Sequence, residues 1–260
     1  MVIVNYRTAE LTTAAARSVL AEDDVGEVVV VDNASGDGSA ATLREALGDD
    51  PRARVVGSPR NGGFGAGVNL GVAACAAPFL FILNSDATVR PGSVGRLVTA
   101  LAADGSLGIL APEVVLADGV TPQPQAFGRL PRRWELVVPG WRTAHGGRRA
   151  DALRPEWVSG VAMVLRTADF LALGGFDEAF EMYFEDLDLC RRVMARGQAV
   201  GRLPAAQVVH GGGQSWRSAR DQKRRYHESR LTYARKVGAR PVELRLIRAT
   251  GRLRVALAAR

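Results

Sequence analysis

Cysteine is scarce in this sequence, and long apolar runs are absent from it. The two cysteines, Cys75 and Cys190, lie far apart, so we expect buried free thiols and a reducing compartment rather than a disulfide framework. The longest apolar run, at residues 79–83, has the length of a strand, whereas a bilayer-spanning helix needs about 20 residues. The first residues do not show the basic and then apolar segments of a signal peptide. These absences predict a cytoplasmic protein without a membrane span.

Basic residues are unevenly distributed along the chain, which carries a net charge of +7. From Trp216 onward there are 14 Arg or Lys and three Asp or Glu, whereas the first 215 residues hold 20 basic and 24 acidic residues. A mildly acidic body with a strongly basic tail favours an anionic partner for the tail, either nucleic acid or a membrane surface. With 260 residues, 47% of them hydrophobic, the chain is otherwise typical of a globular protein of one large or two small domains.

The first hundred residues alternate between short β-branched runs and helical patterns. Residues 28–31 are four valines, as in a strand that is buried on both faces. The pattern predicts strands at 2–4, 27–31, 54–56 and 79–83 and helices at 8–20, 39–47, 65–74 and 92–103. This order predicts an α/β fold with a mostly parallel sheet, helices on both faces and ligands at the carboxyl ends of the strands.

The second half of the chain is less regular. Residues 118–155 are rich in Pro, Gly and Arg, and we expect a long excursion over the sheet face. Regular structure returns with a strand at 160–165, a helix from 167 that ends at Gly174, a helix at 185–196 and a strand at 208–210. The last forty-odd residues are predicted to be helical throughout.

Polar motifs follow several of the predicted strands. Asp32 ends the second strand and opens a turn rich in Ser and Gly, where it could accept hydrogen bonds from a nucleobase or ribose, or simply cap the turn. The run Asn61-Gly62-Gly63-Phe64-Gly65 permits close approach of a ligand. Its spacing is G-x-G-x-G and it follows the third strand, so it does not indicate a Rossmann dehydrogenase.

Two further strand ends suggest ligand sites. The fourth strand ends in Asn84-Ser85-Asp86, and His210 closes an apolar run just before three glycines. The carboxylate of Asp86, at the same sheet edge as Asp32, can hold a divalent cation that neutralises a nucleotide diphosphate, and His210 can bind a metal or a phosphate. The alternatives are a turn acid and a structural histidine.

Four carboxylates lie within residues 181–188. Asp188 can pair with Arg191 and Arg192 one turn later on a helix, which is a structural explanation. Glu185 and Asp186 directly follow Met182-Tyr183-Phe184, which places a carboxylate beside an apolar wall. That combination suits a general base in a partly dry cleft.

Taken in order along residues 2–212, these pieces resemble the inverting GT-A glycosyltransferases of family 2, and within that family the bacterial rhamnosyltransferase-like branch. The runs that carry the resemblance are VIVNY at 2–6, VDNAS at 31–35, NGGFG at 61–65, NSD at 84–86, GFDE at 175–178 and YFEDLD at 183–188.

The resemblance implies a role for each matching residue. Asp186 resembles the general base, with Glu185 beside it, and Ser159 and Gly160 would lie near the sugar or acceptor. Asp86 matches the last acid of the family's D-x-D metal motif, whose first acid is Asn84 here, and His210 resembles the second protein ligand to Mg²⁺ or Mn²⁺. The residues that would bind the donor nucleotide are Asp32, at the nucleobase, and Asn33, Asn61, Gly62, Gly63, Phe64, Asn69 and Ser85.

The expected protein is therefore a metal-dependent, inverting hexosyltransferase. We expect a GT-A domain over residues 1–215 and a basic helical extension over 216–260. The expected donor is a nucleoside diphosphate sugar, with dTDP-rhamnose first, and the expected acceptor is a cell-envelope glycan or a polyprenyl-linked sugar. One alternative is transfer from a UDP-sugar of the galactose or N-acetylglucosamine type. Another is a nucleic-acid-binding module that uses the tail, but it leaves the strand-end acids without a function, so we expect no nucleic-acid partner.

The final predicted helix interleaves apolar and Arg positions. Leu246, Leu253 and Leu257 share one stripe, while Arg245, Arg248, Arg252 and Arg254 lie elsewhere around the axis. Such a helix can lie in a lipid interface, and we expect peripheral association with the inner face of the plasma membrane. The alternatives are packing on the enzyme body and a subunit interface in a homo-oligomer.

Overall fold

The computed structural model describes residues 1–138, 153–212 and 218–257. In the first hundred residues strands and helices alternate as the sequence pattern predicts. The strands are β1 (Val2–Asn5), β2 (Val28–Asp32), β3 (Ala53–Gly57) and β4 (Phe79–Asn84), and the helices are α1 (Ala9–Leu20), α2 (Ser39–Leu47), α3 (Phe64–Ala73) and α4 (Ser93–Ala103). The predicted α/β class is confirmed.

The rest of the chain completes an eight-stranded sheet. Its strand order is β3-β2-β1-β4-β9-β6-β10-β5, and β9 and β5 pair antiparallel with their neighbours, whereas the other pairs are parallel. The added strands are β5 (Ala87–Val89), β6 (Leu107–Val115), β9 (Ala162–Arg166) and β10 (Ala199–His210). A small second sheet pairs β7 (Phe127–Gly128) with β8 (Trp157–Val158). The remaining helices of the body are a short 3-10 helix (Arg133–Val137), α5 (Thr167–Ala172) and α6 (Glu185–Ala195).

Two apolar cores lie on opposite faces of the sheet, because alternate residues of a strand point to opposite faces. On β1, Val2 and Val4 belong to one core and Ile3 to the other. Helices α3 and α6 cover the first core, and α1, α2 and α4 cover the second. Burial on both faces explains why β2 is continuously apolar.

The chain connections diverge at β1 and β4. From β1 the chain runs to β2 and β3 on one side, and it then returns to β4, which pairs with β1 on the other side. A crevice opens at the carboxyl ends of two strands whose connections diverge, and open α/β sheets bind ligands there. Asn5 and Asn84 end these two strands.

Three strands of the eight-stranded sheet differ from the sequence prediction, which lacks β5 and β6 and shortens β10. β6 contains Pro112 and β10 contains Pro204, and proline inside a run argues against a strand. In β10 the pairing with β6 shifts register between Leu203 and Gln207, which accommodates Pro204. β5 has only three residues. The predicted excursion at 118–155 holds β7 and the 3-10 helix, and its residues 139–152 lie outside the described part.

The tail forms two helices, α7 (Ala219–Lys236) and α8 (Pro241–Leu257), that pack on each other and on the body. Tyr233 of α7 and Ile247 of α8 are each 1% exposed and belong to the same core as Val2. The predicted boundary between residues 215 and 216 lies outside the described residues. Across the described ranges, every helix is too short or too polar to cross a bilayer.

Candidate active site

A cleft of about 620 Å³ opens at the carboxyl ends of β1, β4 and β10, a size typical of small-molecule sites. It brings together residues that lie far apart in the sequence. Those with a predicted role that line it are Asn33, Asn61, Gly63, Phe64, Ser85, Asp86, Ser159, Gly160, Glu185, Asp186 and His210.

Two parts of the chain form the walls of this cleft. Residues 6–8, 33, 61–64 and 84–86 follow the ends of the first four strands, and we call them the strand-end wall. Residues 181–186, together with residues 218–225 at the start of α7, form the helical wall. Ser159, Gly160 and His210 lie between the two walls.

Asp86 and His210 are in direct contact. The antiparallel pairing of His210 with Ala87 places the imidazole beside Asp86, and His210 Nε2 lies 3.0 Å from Asp86 Oδ1. The other ring nitrogen, Nδ1, lies 2.6 Å from Gln123 Oε1, so it donates to this carbonyl oxygen. In the tautomer that carries its proton on Nδ1, Nε2 would offer a lone pair to a cation held together with Asp86.

This donor pair fits a divalent cation. Neighbouring ligands on an octahedral ion with bonds of about 2.1 Å are about 3.0 Å apart, which matches the separation of the two atoms. Across the described residues, His, Cys, Asp and Glu form no group of three or more that could hold a metal ion. Two protein ligands leave several positions for water and substrate phosphates, as is usual for Mg²⁺.

Asp186 lies at the start of α6, on the helical wall. Its Oδ1 accepts a hydrogen bond from Leu187 N at 2.9 Å, and its Oδ2 accepts one from Gly160 N at 3.2 Å. Its side chain is buried but lines the cleft, as does Glu185 next to it. The two backbone donors fix the orientation of the carboxylate between the helical wall and Gly160.

Asp188 has a different environment. It is fully buried, and Arg192 Nε and Lys236 Nζ both lie 2.8 Å from its carboxylate oxygens. Arg191 also contacts it at 3.4 Å. These pairs support the structural interpretation of Asp188, and Lys236 ties it to α7.

The residues just before α6 adopt an uncommon backbone conformation. Tyr183 and Phe184 have φ angles of 71° and 69°, in the left-handed region that residues other than glycine rarely adopt. The Phe184 side chain is fully buried. The helical wall therefore contains two consecutive strained residues directly before Glu185 and Asp186.

The strand-end wall is joined by short polar contacts. Asn33 Nδ2 donates to Asn61 Oδ1 at 3.1 Å and to Gly63 O at 2.9 Å. The other amide atom, Asn33 Oδ1, is buried and has no hydrogen-bond partner among the described residues, so it can accept one from a ligand. Gly63 has a φ of 88°, and a Cβ there would overlap the carbonyl oxygen of Glu181. The glycine loop thus touches the helical wall at Glu181.

Two residues predicted to bind the donor nucleotide have other contacts. Asp32 Oδ1 accepts from Asn5 Nδ2 at 2.7 Å and from Ser35 Oγ at 2.5 Å, so this oxygen stabilises the turn. Asn69 lies at a second, shallower hollow. Its Nδ2 donates to Phe176 O, and its Oδ1 accepts from Phe176 N. Asn69 therefore holds the Gly174-Gly175 turn in place. Gly62 lies in the loop beside the cleft.

Several cleft residues have no counterpart in the sequence analysis. Gln123 orients His210 from the irregular region, and no motif marks it. Arg7 has a φ of 59° and donates through Nε to Ser35 O at 2.9 Å. Gln222 and Arg225 reach the cleft from α7. Their positions relative to the cleft depend on tertiary packing that the tail sequence does not reveal.

Comparison with known proteins identifies related chains. The model of glycosyl transferase family 2 matches residues 1–137, and that of glycosyl transferase family group 2 matches residues 79–253. The N-acetylglucosaminyl-diphospho-decaprenol L-rhamnosyltransferase of Mycobacterium tuberculosis is 30% identical over 212 residues, which cover 74% of this chain and 68% of that protein. Succinoglycan biosynthesis protein ExoU of Rhizobium meliloti is 30% identical over 246 residues, covering 90% of this chain and 69% of ExoU.

Solved structures confirm the predicted GT-A fold. The mannosyltransferase PcManGT from Pyrobaculum calidifontis, in complex with GDP-Man and Mn²⁺, has a TM-score of 0.65 at 17% identity, covering 99% of this chain and 72% of that one. GalNAc-T7 with UDP, GalNAc and Mn²⁺ has a TM-score of 0.68 at 16% identity, covering 88% of this chain and 47% of that one.

Proposed function

The chain belongs to glycosyl transferase family 2, whose members use nucleotide-sugar donors, and we propose that it transfers L-rhamnose from dTDP-rhamnose to a polyprenyl-linked sugar of the cell envelope. The observation that carries the chemistry is the shared cleft, which holds Asp186 on one wall and the Asp86–His210 pair on the other side. The similarity to the mycobacterial L-rhamnosyltransferase supports the choice of sugar and of a lipid-linked acceptor.

Asp86 and His210 would hold Mg²⁺ or Mn²⁺, which would neutralise negative charge on the donor diphosphate as the nucleoside diphosphate leaves. The pair supports this role because Nε2 of His210 and Oδ1 of Asp86 face each other at 3.0 Å, while Gln123 holds Nδ1. Asn33, through its unpartnered Oδ1, and Asn61, Phe64 and Ser85 on the same wall would contact the nucleotide. Asp32 would contribute through its second carboxylate oxygen, Oδ2, whose contact with Ser35 N is longer, at 3.3 Å.

Asp186 would accept the proton of the acceptor hydroxyl as this oxygen attacks the anomeric carbon. The new glycosidic bond forms as the bond between the anomeric carbon and the diphosphate oxygen breaks. The attacking acceptor oxygen and the departing diphosphate lie on opposite faces of the anomeric carbon, so the reaction inverts the configuration of this carbon. Ser159 and Gly160 lie next to Asp186 and would border the sugar or acceptor.

A donor screen tests this function. The full chain would be incubated with Mn²⁺, a polyprenyl-diphosphate N-acetylglucosamine acceptor, and in turn dTDP-rhamnose, UDP-galactose, UDP-N-acetylglucosamine and GDP-mannose. We expect fastest acceptor-dependent release of dTDP, and a product of inverted anomeric configuration by NMR. Faster turnover of a UDP-sugar would show that the donor belongs to the alternative class, the UDP-sugars, and is not dTDP-rhamnose. Failure of every donor, with salt-dependent nucleic-acid binding instead, would overturn the enzyme assignment.

We further propose that α8 associates with the surface of an anionic membrane. Its buried side, which includes Ile247 and Gly251, packs towards the body and α7. The apolar residues on its other side are exposed: Val242 by 55%, Leu246 by 47%, Leu253 by 61% and Leu257 by 59%. They recur at helical spacing in a single stripe.

Exposed cations flank this stripe. Arg245, Arg248 and Arg252 are all exposed and lie along one edge of it. An exposed apolar stripe with a cationic edge fits the interface of a bilayer with anionic headgroups, where a polyprenyl-linked acceptor would also be held. On this proposal the stripe of α8 would lie in the membrane interface.

A further inference from the structure

We infer that α7 is a positioning element of the catalytic site: it holds the strained segment Tyr183–Phe184 and thereby sets the place of Asp186. This inference rests on the proposed role of Asp186 as the base. The pattern and resemblance in the sequence assign α7 only to a basic tail, and the proposed chemistry alone does not require it.

The segment needs an external constraint. Two consecutive non-glycine residues with φ near 70° are unfavourable in an isolated chain and persist only where their surroundings enforce them. Phe184 immediately precedes α6, so its backbone angles decide where the helix begins and where Asp186 points. Relaxation of either residue to a negative φ would rotate the first turn of α6.

One face of α7 supplies that constraint. The Phe184 ring lies 5.3 Å from the Tyr226 ring and 5.4 Å from the Tyr233 ring, measured between centroids. Tyr226 also packs edge-on against Tyr183 at 5.7 Å. Both strained side chains are therefore held by aromatic rings of α7, and Tyr226 contacts both of them.

Polar contacts from α7 hold one backbone carbonyl and two side chains of residues 181–183. Ser229 Oγ donates to Met182 O at 2.7 Å, and Gln222 Nε2 donates to Tyr183 Oη at 3.0 Å. Arg225 forms an ion pair with Glu181. The contacting residues of α7 recur every three or four positions along one face: Gln222, Arg225, Tyr226, Ser229, Tyr233 and Lys236.

The opposite side of the segment touches the glycine loop, because Phe64 N donates to Glu181 O at 3.1 Å. The segment is thus enclosed between the strand-end wall and α7. Loss of the Tyr226 ring would remove the packing on one side only. We expect it to misplace Asp186 while the contacts of the strand-end wall remain.

A double-mutant cycle tests this inference in the full-length chain. Tyr226→Ala should lower kcat with dTDP-rhamnose about 10-fold to 100-fold, because a small misplacement of a catalytic group has an effect of this size. The same variant should leave the Kd for dTDP with Mn²⁺ unchanged. Tyr226→Phe keeps the ring and should restore most of kcat. In an Asp186→Asn background, the addition of Tyr226→Ala should lower kcat by less than about 3-fold more, because the effects of two residues that act through one group are not additive.

Controls separate this inference from the base assignment and from simple misfolding. Arg235→Ala, at an exposed position of α7 outside the cleft wall, should be neutral, and Ser229→Ala serves as a milder variant if Tyr226→Ala does not fold. Normal kcat in Tyr226→Ala beside a strongly impaired Asp186→Asn would overturn the role of α7 alone. Fully additive losses would also overturn it. Near-normal turnover of Asp186→Asn would instead overturn the proposed base.

Discussion

The two walls of the cleft are built in different ways. The strand-end wall follows directly from the order of strands: its side chains stand at the carboxyl ends of a buried sheet, and contacts between the loops that follow these strands, such as Asn33 to Gly63, hold them. The helical wall contains a strained segment that is held by a helix some 40 residues later in the chain, as in the contact between Gln222 and Tyr183. One wall is fixed by the sheet itself, and the other depends on the docking of α7.

This difference suggests that the two walls have different functions. A wall that the sheet fixes suits binding of the donor and its cation, since preformed polar groups need no reorganisation. A wall that a docked helix holds can lose its geometry without unfolding of the core. Changes to the strand-end wall should therefore alter donor binding, and changes to the helical wall should alter the chemical step.

The largest expected effect concerns the Asp86–His210 pair. Asp86→Ala and His210→Ala should each lower kcat/KM about 10³-fold and weaken dTDP binding only when Mn²⁺ is present, because the cation accounts for several kcal/mol of charge stabilisation. Chelation of the wild-type protein should abolish turnover, and Mn²⁺ or Mg²⁺ should restore it. Gln123→Ala, which releases His210 Nδ1, should give a smaller loss of the same kind. Full activity in chelator would refute a metal at this pair.

The contact between the two walls is sensitive to Gly63. Gly63→Ala introduces a Cβ that overlaps Glu181 O at a φ of 88°, so we expect about 10-fold losses in both kcat and dTDP affinity. Gly57→Ala is the matched control, since open space surrounds that position. Isothermal titration with dTDP and steady-state kinetics would measure the two losses. A Gly63→Ala enzyme that loses only one of these properties would show that the walls are independent.

The exposed stripe on α8 should matter for lipid and not for chemistry. Replacement of Leu246, Leu253 and Leu257 by Gln should reduce co-sedimentation with phosphatidylglycerol vesicles at least about 10-fold, because each leucine loses apolar contact with the bilayer. Turnover of a short soluble acceptor should be unchanged. Substitution is preferred to truncation, since α8 also buries Ile247 in the core.

Leu171→Gln, at an equally exposed leucine on α5, is the matched control for vesicle binding. Binding of the wild type to anionic but not neutral vesicles, decreasing with salt, is expected. A wild-type chain that ignores anionic vesicles at low salt would contradict the membrane proposal. The stripe would then be assigned to the fold or to a subunit interface.

The smallest expected effect concerns acid. Burial first, and then neighbouring cations with Arg230 foremost among them, together lower the pKa of His227, at the contact of α7 and α8, to about 4. Between pH 4 and the ordinary value of about 6.5, the unfolded chain binds a proton that the folded chain does not, so stability decreases as pH falls through this window. We expect a loss on the order of 2 kcal/mol, measured by urea unfolding, that is smaller in His227→Gln. Equal pH dependence in both proteins would contradict it.

The sequence predicted the strand-end wall better than the helical wall, for a physical reason. An apolar run that stops at Asn84-Ser85-Asp86 or at His210 reveals a sheet edge, and parallel strands bring such edges together. The end of the second apolar run marks Asp32 in the same way. It does not reveal that Asn5 and Ser35 both donate to one oxygen of Asp32.

The helical wall depended on contacts that leave no local pattern. Asp186 could be found from its acidic neighbours and from the family resemblance, but its support by Tyr226 and Ser229 could not. The Arg-rich composition of the tail predicted an anionic partner. It did not reveal the apolar face of α7 that packs against Phe184. Proline within β6 and β10 likewise concealed strands that tertiary pairing allows.

The most direct test of the account compares two properties of a single variant. Asp186→Asn keeps the shape of the side chain and one of its two backbone hydrogen bonds, because an amide nitrogen replaces one acceptor oxygen, and it does not accept the acceptor's proton. We predict that kcat falls by about 10² or more while the Kd for dTDP with Mn²⁺ stays within about 2-fold of the wild-type value. Near-normal turnover, or an equal loss in dTDP affinity and in kcat/KM, would contradict the assignment of chemistry to the helical wall and of binding to the strand-end wall.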